Sequence, residues 1–379
     1  MIGNVRGKVS VRNQGGGDVA RAAQITGDRK RYDVLDGLRG VAAIGVLFYH
    51  FGIRLDAPII VRHGYLAVDF FFILSGFVIA HSYAYKFPLL KLSTFIGIRA
   101  KRLLPLSILG VLIGSVYLIL RWRFHPAPPD NIAHILAASA LNVSLVPNLW
   151  ASSGTYSDIF PGNGVLWSLS LEMAVNIIWA AGLVRAPNMS LIVIAAIGAI
   201  ILSIFVQLHG NADIGWNWDT YIGGAGRALF GFFTGIMLWR FRSKALRSST
   251  IAWVLAAVLI VIFCIPVTNW RYDVAAILVA FPLIVYFAAA SVHQRENVVF
   301  RFLGEISYPL YAIHFPLLMM LSGVLKKVQP GAPPGHWIYA MAIPLVIISW
   351  LVGKYYDAPV RRWLSRTNGF PHTASAYGE

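Results

Sequence analysis

Three observations predict that this chain folds as an all-α polytopic membrane protein. Hydrophobic residues make up 57% of it and charged residues only 13%, too little charge to coat a water-soluble domain. The apolar residues come in long blocks, each near the roughly 20 residues that a helix needs to cross the hydrocarbon core. Lysines and arginines gather in every second connection between those blocks, which is how the positive-inside rule sets topology.

The blocks run, in order, about 35–54, 63–83, 103–121, 164–183, 189–207, 220–240, 250–268, 274–292, 305–325 and 336–355, which makes about ten transmembrane helices. The stretch 132–146 is shorter and weaker. It reads as a re-entrant or interfacial piece, with an eleventh span as the alternative. With the N-terminus inside, 23 of the 32 Lys and Arg fall in inner segments and seven in outer loops, while Arg39 and Arg227 lie within spans. This asymmetry places both termini in the cytoplasm. It also accounts for the net charge of +16 through topology and anionic lipid, with no nucleic-acid partner.

Residues 1–32 are basic and glycine-rich and lack the apolar run of a secretory signal, a composition that predicts a disordered tail. Residues 33–357 form the membrane domain and 358–379 a cytoplasmic C-terminal tail. The one cysteine, Cys264, excludes an internal disulfide and is expected in core packing.

Ionisable side chains inside a bilayer are expensive and point to function. The first block holds two, Arg39 and His50. Eleven positions at about 100° each come to three turns plus roughly 20°, so both side chains leave one helix face, roughly 16 Å apart along the axis. His50 falls in the outer half of its span. There it can serve as a base, an acyl acceptor or a metal ligand, or it can simply pack. Asp69 in the second block sits at matching depth, where a carboxylate would fix the imidazole tautomer. Ser75, followed by Gly76, serves either close helix approach or substrate contact. Glu172 in the fourth block is either a catalytic carboxylate or a structural partner for Arg227 in the sixth.

Arg99, Lys101 and Arg102 lie in a stretch that reads as a cytoplasmic loop. Three cations at a membrane edge suit a phosphorylated ligand, though they also suit ordinary topogenic charge. The ninth block carries Ser307, Tyr308, Pro309, His314 and Pro316. Two prolines and a mid-span histidine mark an interrupted helix that borders a cavity. The outer segment 122–163 offers Trp150 and Tyr156, either as sugar-contacting faces or as part of a structured cap. The chain contains no P-loop, GxSxG, HExxH or CxxC sequence, so no metal ligands are assigned and ATP-driven transport has no support.

Taken in order, these segments resemble the membrane-bound acyltransferase-3 family of bacterial inner-membrane O-acyltransferases, over roughly 33–357. Asp36-Gly37-Leu38-Arg39-Gly40 followed by His50 is similar to the family's Arg–x10–His element. Gly64 to Gly76 is similar to its Gly…Val-Asp-x-Phe-Phe-x-x-Ser-Gly element, with Ala67 making the approach to Asp69 less glycine-rich than usual. Arg99, Arg102 and Pro105 match the basic element, and Trp167 to Glu172 and Ser307 to Pro316 match the later signatures.

The resemblance implies an acyl-CoA donor, usually acetyl-CoA, entering from the cytoplasm as a substrate rather than a bound cofactor. It implies a hydroxyl acceptor on a glycan, a lipid-linked sugar or, in some members, a small natural product such as a macrolide. In the mechanism expected from it, Arg99, Lys101 and Arg102 hold the coenzyme A phosphates and Arg39 guides the donor. His50 acts as general base or transient acyl acceptor, and Asp69 or Glu172 orients it. Ser75, Arg227, Ser307, Tyr308 and His314 are expected to contact substrate. A glycan or lipid transporter using these groups as a proton relay is the alternative from another class; the chain shows none of the repeated halves common in transporters.

Overall fold

Backbone amides exposed to lipid cannot hydrogen-bond to water, so a spanning segment must satisfy them within itself; the chain does this almost wholly with α-helices. The computed structural model describes residues 32–87, 90–124, 131–150, 158–242, 246–247, 249–292, 297–328 and 335–366. The helices are α1 (Asp33–Leu55), α2 (Ala67–Tyr83, entered through a 3-10 turn at Gly64–Leu66), α3 (Leu92–Phe124), α4 (Ile132–Asn142) and α5 (Leu166–Ile178, extended by a π turn to Leu183). They continue with α6 (Asn188–His209), α7 (Trp218–Arg240), α8 (Ser249–Cys264), α9 (Trp270–Ala290), α10 (Val298–Val328) and α11 (His336–Arg366). Beside them stands one parallel pair of two-residue strands, Leu246–Arg247 with Ser291–Val292.

Among the described residues nine helices are long and apolar enough to cross a membrane, and the packing directions supply a tenth. Helices α2 and α7 run parallel, since Asp69 meets Arg227 and Phe72 meets Gly231. Parallel partners need an odd number of crossings between them. Helices α3, α5 and α6 make three, so the 11-residue α4 does not cross, which removes the eleventh-span alternative. Helices α1 and α10 are likewise parallel, with Gly37 against Phe300 and His50 against His314. That requires the 16-residue α8 to cross. The ten crossings leave Asp33 and Arg366 on the same side.

Several expectations change in detail. Helix α3 begins at Leu92 rather than near 103, so Arg99, Lys101 and Arg102 are helical and not in a loop. Helix α10 is continuous through Pro309 and Pro316. Pro316 has no N–H for the Ala312 carbonyl; the Asn163 side-chain amide donates to that carbonyl instead, at 2.9 Å. Helix α11 extends to Arg366, into the segment expected as tail. Cys264 is exposed at the end of α8 rather than packed in the core. Residues 1–31 of the tail expected over 1–32, residues 367–379 and Tyr156 lie outside the described residues, and Trp150 is exposed.

Two close helix approaches position the polar residues. A Cβ at Gly40 would lie 2.3 Å from the Leu303 carbonyl oxygen, and one at Gly76 would lie 1.9 Å from that of Phe232. No larger residue permits such backbone contact. The first contact sets α1 on α10, and the second sets α2 on α7.

Candidate active site

The tight α1–α10 contact brings two histidines together. His50 Nδ1 lies 3.0 Å from His314 Nε2. His314 Nδ1 in turn lies 2.9 Å from the Leu310 carbonyl and 3.0 Å from that of Tyr311. A carbonyl oxygen only accepts, so the His314 Nδ1 carries the proton, and in the neutral ring its Nε2 must accept. His50 therefore donates from Nδ1 and keeps the lone pair on Nε2. His314 is fully buried, whereas the His50 side chain retains accessible surface. With both of its ring nitrogens occupied, His314 has no valence left for the substrate contact expected of it. It orients His50 instead, the role expected of Asp69 or Glu172.

Three turns toward the N-terminus along the same face of α1, Arg39 Nε donates to Ser307 Oγ at 2.8 Å and Nη2 to the Gly304 carbonyl at 3.2 Å. Asp36 pairs with its Nη1 at 3.2 Å. Beside this group lies a cavity of about 100 Å³ lined by α1, α2, α3, α5 and α10. Its polar wall comprises Arg39, Ser75, Arg99, Arg102, Glu172, Ser307 and Tyr308. Glu172 Oε1 accepts from Ser75 Oγ at 2.8 Å and from Arg99 Nη2 at 3.0 Å. Arg99 is only 5% exposed. Arg99 and Arg102, three positions apart, share a helix face, and both line the cavity. Lys101, between them, is not among the lining residues. On the far wall Tyr311 bonds Ser168 through its hydroxyl at 2.6 Å, and its ring centroid lies 6.0 Å from that of His314. The histidine pair therefore stands directly behind the cavity wall.

Asp69 belongs to a different group. Its two carboxylate oxygens accept from Arg227 Nε at 2.9 Å and Nη2 at 2.7 Å. Arg227 also donates to the carbonyls of Ile214 and Tyr65. Both side chains are essentially inaccessible, at 0% and 1%. A buried carboxylate without a cation is far costlier than a paired one, and the bidentate geometry is what a guanidinium fork provides. Arg227 thus ties α7 to α2 and to the 210–217 connection, and Asp69 pairs with it rather than with His50. Glu172 does not reach His50 either, since Arg99 and Ser75 hold it at the cavity.

Comparison with known proteins places this arrangement. A family model described as an acyltransferase domain, acyltransferase-3, matches residues 32–354. The chain belongs to the acyltransferase-3 family. Among curated relatives, a Rhizobium radiobacter protein known as protein 2 in the picA locus is 32% identical over 186 residues, 46% of this chain and 94% of that one. A Staphylococcus aureus (strain COL) protein named as a candidate O-acetyltransferase is 27% identical over 360 residues, covering 86% of this chain and 57% of its own length. A peptidoglycan O-acetyltransferase of Listeria monocytogenes is 26% identical over 383 residues, covering 90% and 57%. The chain thus spans little more than half the length of both of these relatives. No solved structure matches it.

The fold also carries polar groups that no local sequence pattern marks. Around the C-terminal end of α1, Tyr49 donates to Asp213 Oδ2 at 2.7 Å. Tyr65 donates to Asp273 Oδ2 at 2.9 Å, and His63 Nδ1 stands 3.0 Å from Asp273 Oδ1. The Ala212 amide donates to the same Asp273 carboxylate at 2.8 Å. These bonds stitch the 210–217 connection over the ends of α1 and α2. Burial pushes the Asp213 carboxyl above the usual carboxylate range, against the opposing pull of the Tyr49 hydroxyl and of Arg227. Tyr49 neighbours His50 in the sequence, but its partner lies 164 positions away, a separation with no local signature.

Proposed function

We propose that the chain is an integral O-acyltransferase of the bacterial inner membrane. It moves an acetyl group from acetyl-CoA on the cytoplasmic side to a hydroxyl of a cell-surface or exported polysaccharide or a lipid-linked glycan. The observation that carries the reading is the histidine pair: His50, with its Nε2 lone pair free and its tautomer held by buried His314, next to a cavity walled by cations. The O-acetyltransferase names of two relatives support the reaction class.

In this reading the end of the fold where α1 begins faces the cytoplasm, and Arg102 and Lys101 attract the coenzyme A phosphates. Arg99 is neutralised by Glu172 and shapes the channel rather than gripping phosphate. Arg39, braced by Asp36 and Ser307, lies deeper along the donor's route, and Ser75 and Tyr308 wall it. His50 Nε2 takes the acceptor hydroxyl proton as the oxygen attacks the thioester carbonyl, and the expelled thiolate recovers that proton. The activated thioester requires no nucleotide triphosphate. A cavity of about 100 Å³ is smaller than the roughly 300–1,000 Å³ of small-molecule sites. Phe71, packed edge-on against Tyr311 at 5.3 Å, is part of the wall that the donor would pass.

The test compares the chain and His50→Ala at equal membrane levels, reading ester-linked acetyl on isolated surface glycan by mass spectrometry. Loss of a general base lowers the rate about 10²–10⁴-fold. Acetylation at the unmutated level in His50→Ala refutes the assignment.

A further inference from the structure

Arg54 lies one helical turn outward of His50 on α1 and carries no part of the mechanism so far. Its guanidinium carbon sits 4.6 Å from the centroid of the Phe315 ring. That ring stands edge-on to His50 with centroids 5.3 Å apart. The side chain is half-buried, and its Nε is fully enclosed with no hydrogen-bond partner. Two carboxylates share its neighbourhood, Asp158 and Asp213, and burial raises both above the usual carboxylate range while Arg54 opposes the rise. Neither forms an ion pair with it. Asp213 is held by the Tyr49 hydroxyl, and Asp158 lies at the backbone bridge to Asn217.

Arg99 also has an unpartnered Nε, but Arg54 differs from it and from the other two intramembrane arginines in having no carboxylate partner among the described residues. Arg39, Arg99 and Arg227 each have a carboxylate within 3.2 Å. An enclosed donor with no acceptor carries an uncompensated desolvation penalty. Such a group is worth retaining where an acceptor is formed during turnover, because a donor placed in advance at developing charge needs no reorganisation.

We propose that Arg54 is a catalytic residue whose guanidinium donates to the oxygen of the tetrahedral intermediate formed at His50. As the acceptor oxygen bonds to the thioester carbon, the carbonyl π pair moves onto oxygen and Arg54 meets that negative charge. Collapse restores the carbonyl, breaks the carbon–sulfur bond and releases the thiolate, which takes the proton from His50. The ring of Phe315 holds the guanidinium plane in place by cation–π contact. The inference rests on His50 being the base of acyl transfer.

The experiment uses the full chain in lipid nanodiscs with acetyl-CoA as donor and an N-acetylglucosamine oligosaccharide as hydroxyl probe, reading thiol release. Arg54→Gln is expected to lower kcat about 10²–10³-fold, the usual effect of losing one oxyanion donor, with KM for both substrates unchanged. An unchanged kcat overturns the proposal. So does a raised oligosaccharide KM at constant kcat, which makes Arg54 a ligand for the acceptor. If Arg54→Gln does not accumulate in the membrane, Arg54→Lys decides. It keeps the charge but not the planar fork, and a fall in kcat of about tenfold or more supports the proposal while an unchanged kcat overturns it. His50→Ala runs in parallel. Thiol release that survives in His50→Ala, or is missing from the unmutated chain, defeats the acyl-transfer reading itself. A silent His50→Ala beside a fully active Arg54→Gln defeats only the role of Arg54.

Discussion

Replacing Arg227 by Met separates a structural clamp from a substrate ligand. The substitution removes all four bonds the guanidinium makes: two to Asp69, one to the Ile214 carbonyl and one to the Tyr65 carbonyl. Asp69 stays at 0% exposure with no counter-charge, a change that costs about 3–5 kcal/mol for a broken buried pair. The orphaned carbonyls add roughly 1 kcal/mol or more each where they stay dry. The expected loss is therefore on the order of 5 kcal/mol, a few thousand-fold in a folding equilibrium. The assay is thermal unfolding of the detergent-solubilised protein, followed by tryptophan fluorescence and by retention of the monodisperse peak. The double variant Asp69→Leu with Arg227→Met, which leaves no buried charge, is expected to recover much of the loss. An Arg227→Met protein with an unchanged melting temperature and a raised acceptor KM refutes the clamp and restores Arg227 as a substrate contact.

Other outcomes follow from neighbouring geometry. His314→Phe removes the acceptor that holds the His50 Nδ1 proton, so kcat is expected to fall at least tenfold with KM for acetyl-CoA unchanged; steady-state kinetics in nanodiscs check it, and unchanged kcat contradicts the tautomer assignment. Gly40→Ala puts a methyl 2.3 Å from the Leu303 carbonyl oxygen, so α1 and α10 must part; both folded yield and acetylation are expected to drop, as gel-filtration recovery and glycan mass spectrometry report. Asn163→Ala leaves the Ala312 carbonyl without a donor, at a cost of about 1–3 kcal/mol, seen as a lower melting temperature. Because burial raises the Asp213 carboxyl in the folded state, this group's destabilising effect is absent below the ordinary carboxylate range. It builds as the pH rises from the ordinary carboxylate value to the raised one, the window in which the folded state holds the extra proton, and is complete above it. In Asp213→Asn that part of the pH dependence of the melting temperature is expected to vanish.

Much of the fold was legible in the chain. Block length and alternating basic connections are local properties of sequence, and they yielded an all-α membrane domain with about ten crossings. The crossing status of α4 was left open, because an 11-residue helix is told from a span only by which neighbours it lets run parallel; the crossing of α8, expected from its block at 250–268, follows from the same parity. The site divides in the same way. Arg39 and His50 were visible as ionisable residues on one face of an apolar helix, and the five motif segments named the family.

Their partners were hidden by distance along the chain. His50 and His314 stand 264 positions apart, and Arg227 and Asp69 stand 158 apart. A sequence marks an intramembrane charge as requiring a partner, since an unpaired one is too costly, but several carboxylates and cations at similar depths leave the pairing open. Only the packed backbone, with glycines admitting α10 against α1 and α7 against α2, decides that Asp69 neutralises Arg227 and Glu172 neutralises Arg99. That leaves His50 to be oriented by another histidine.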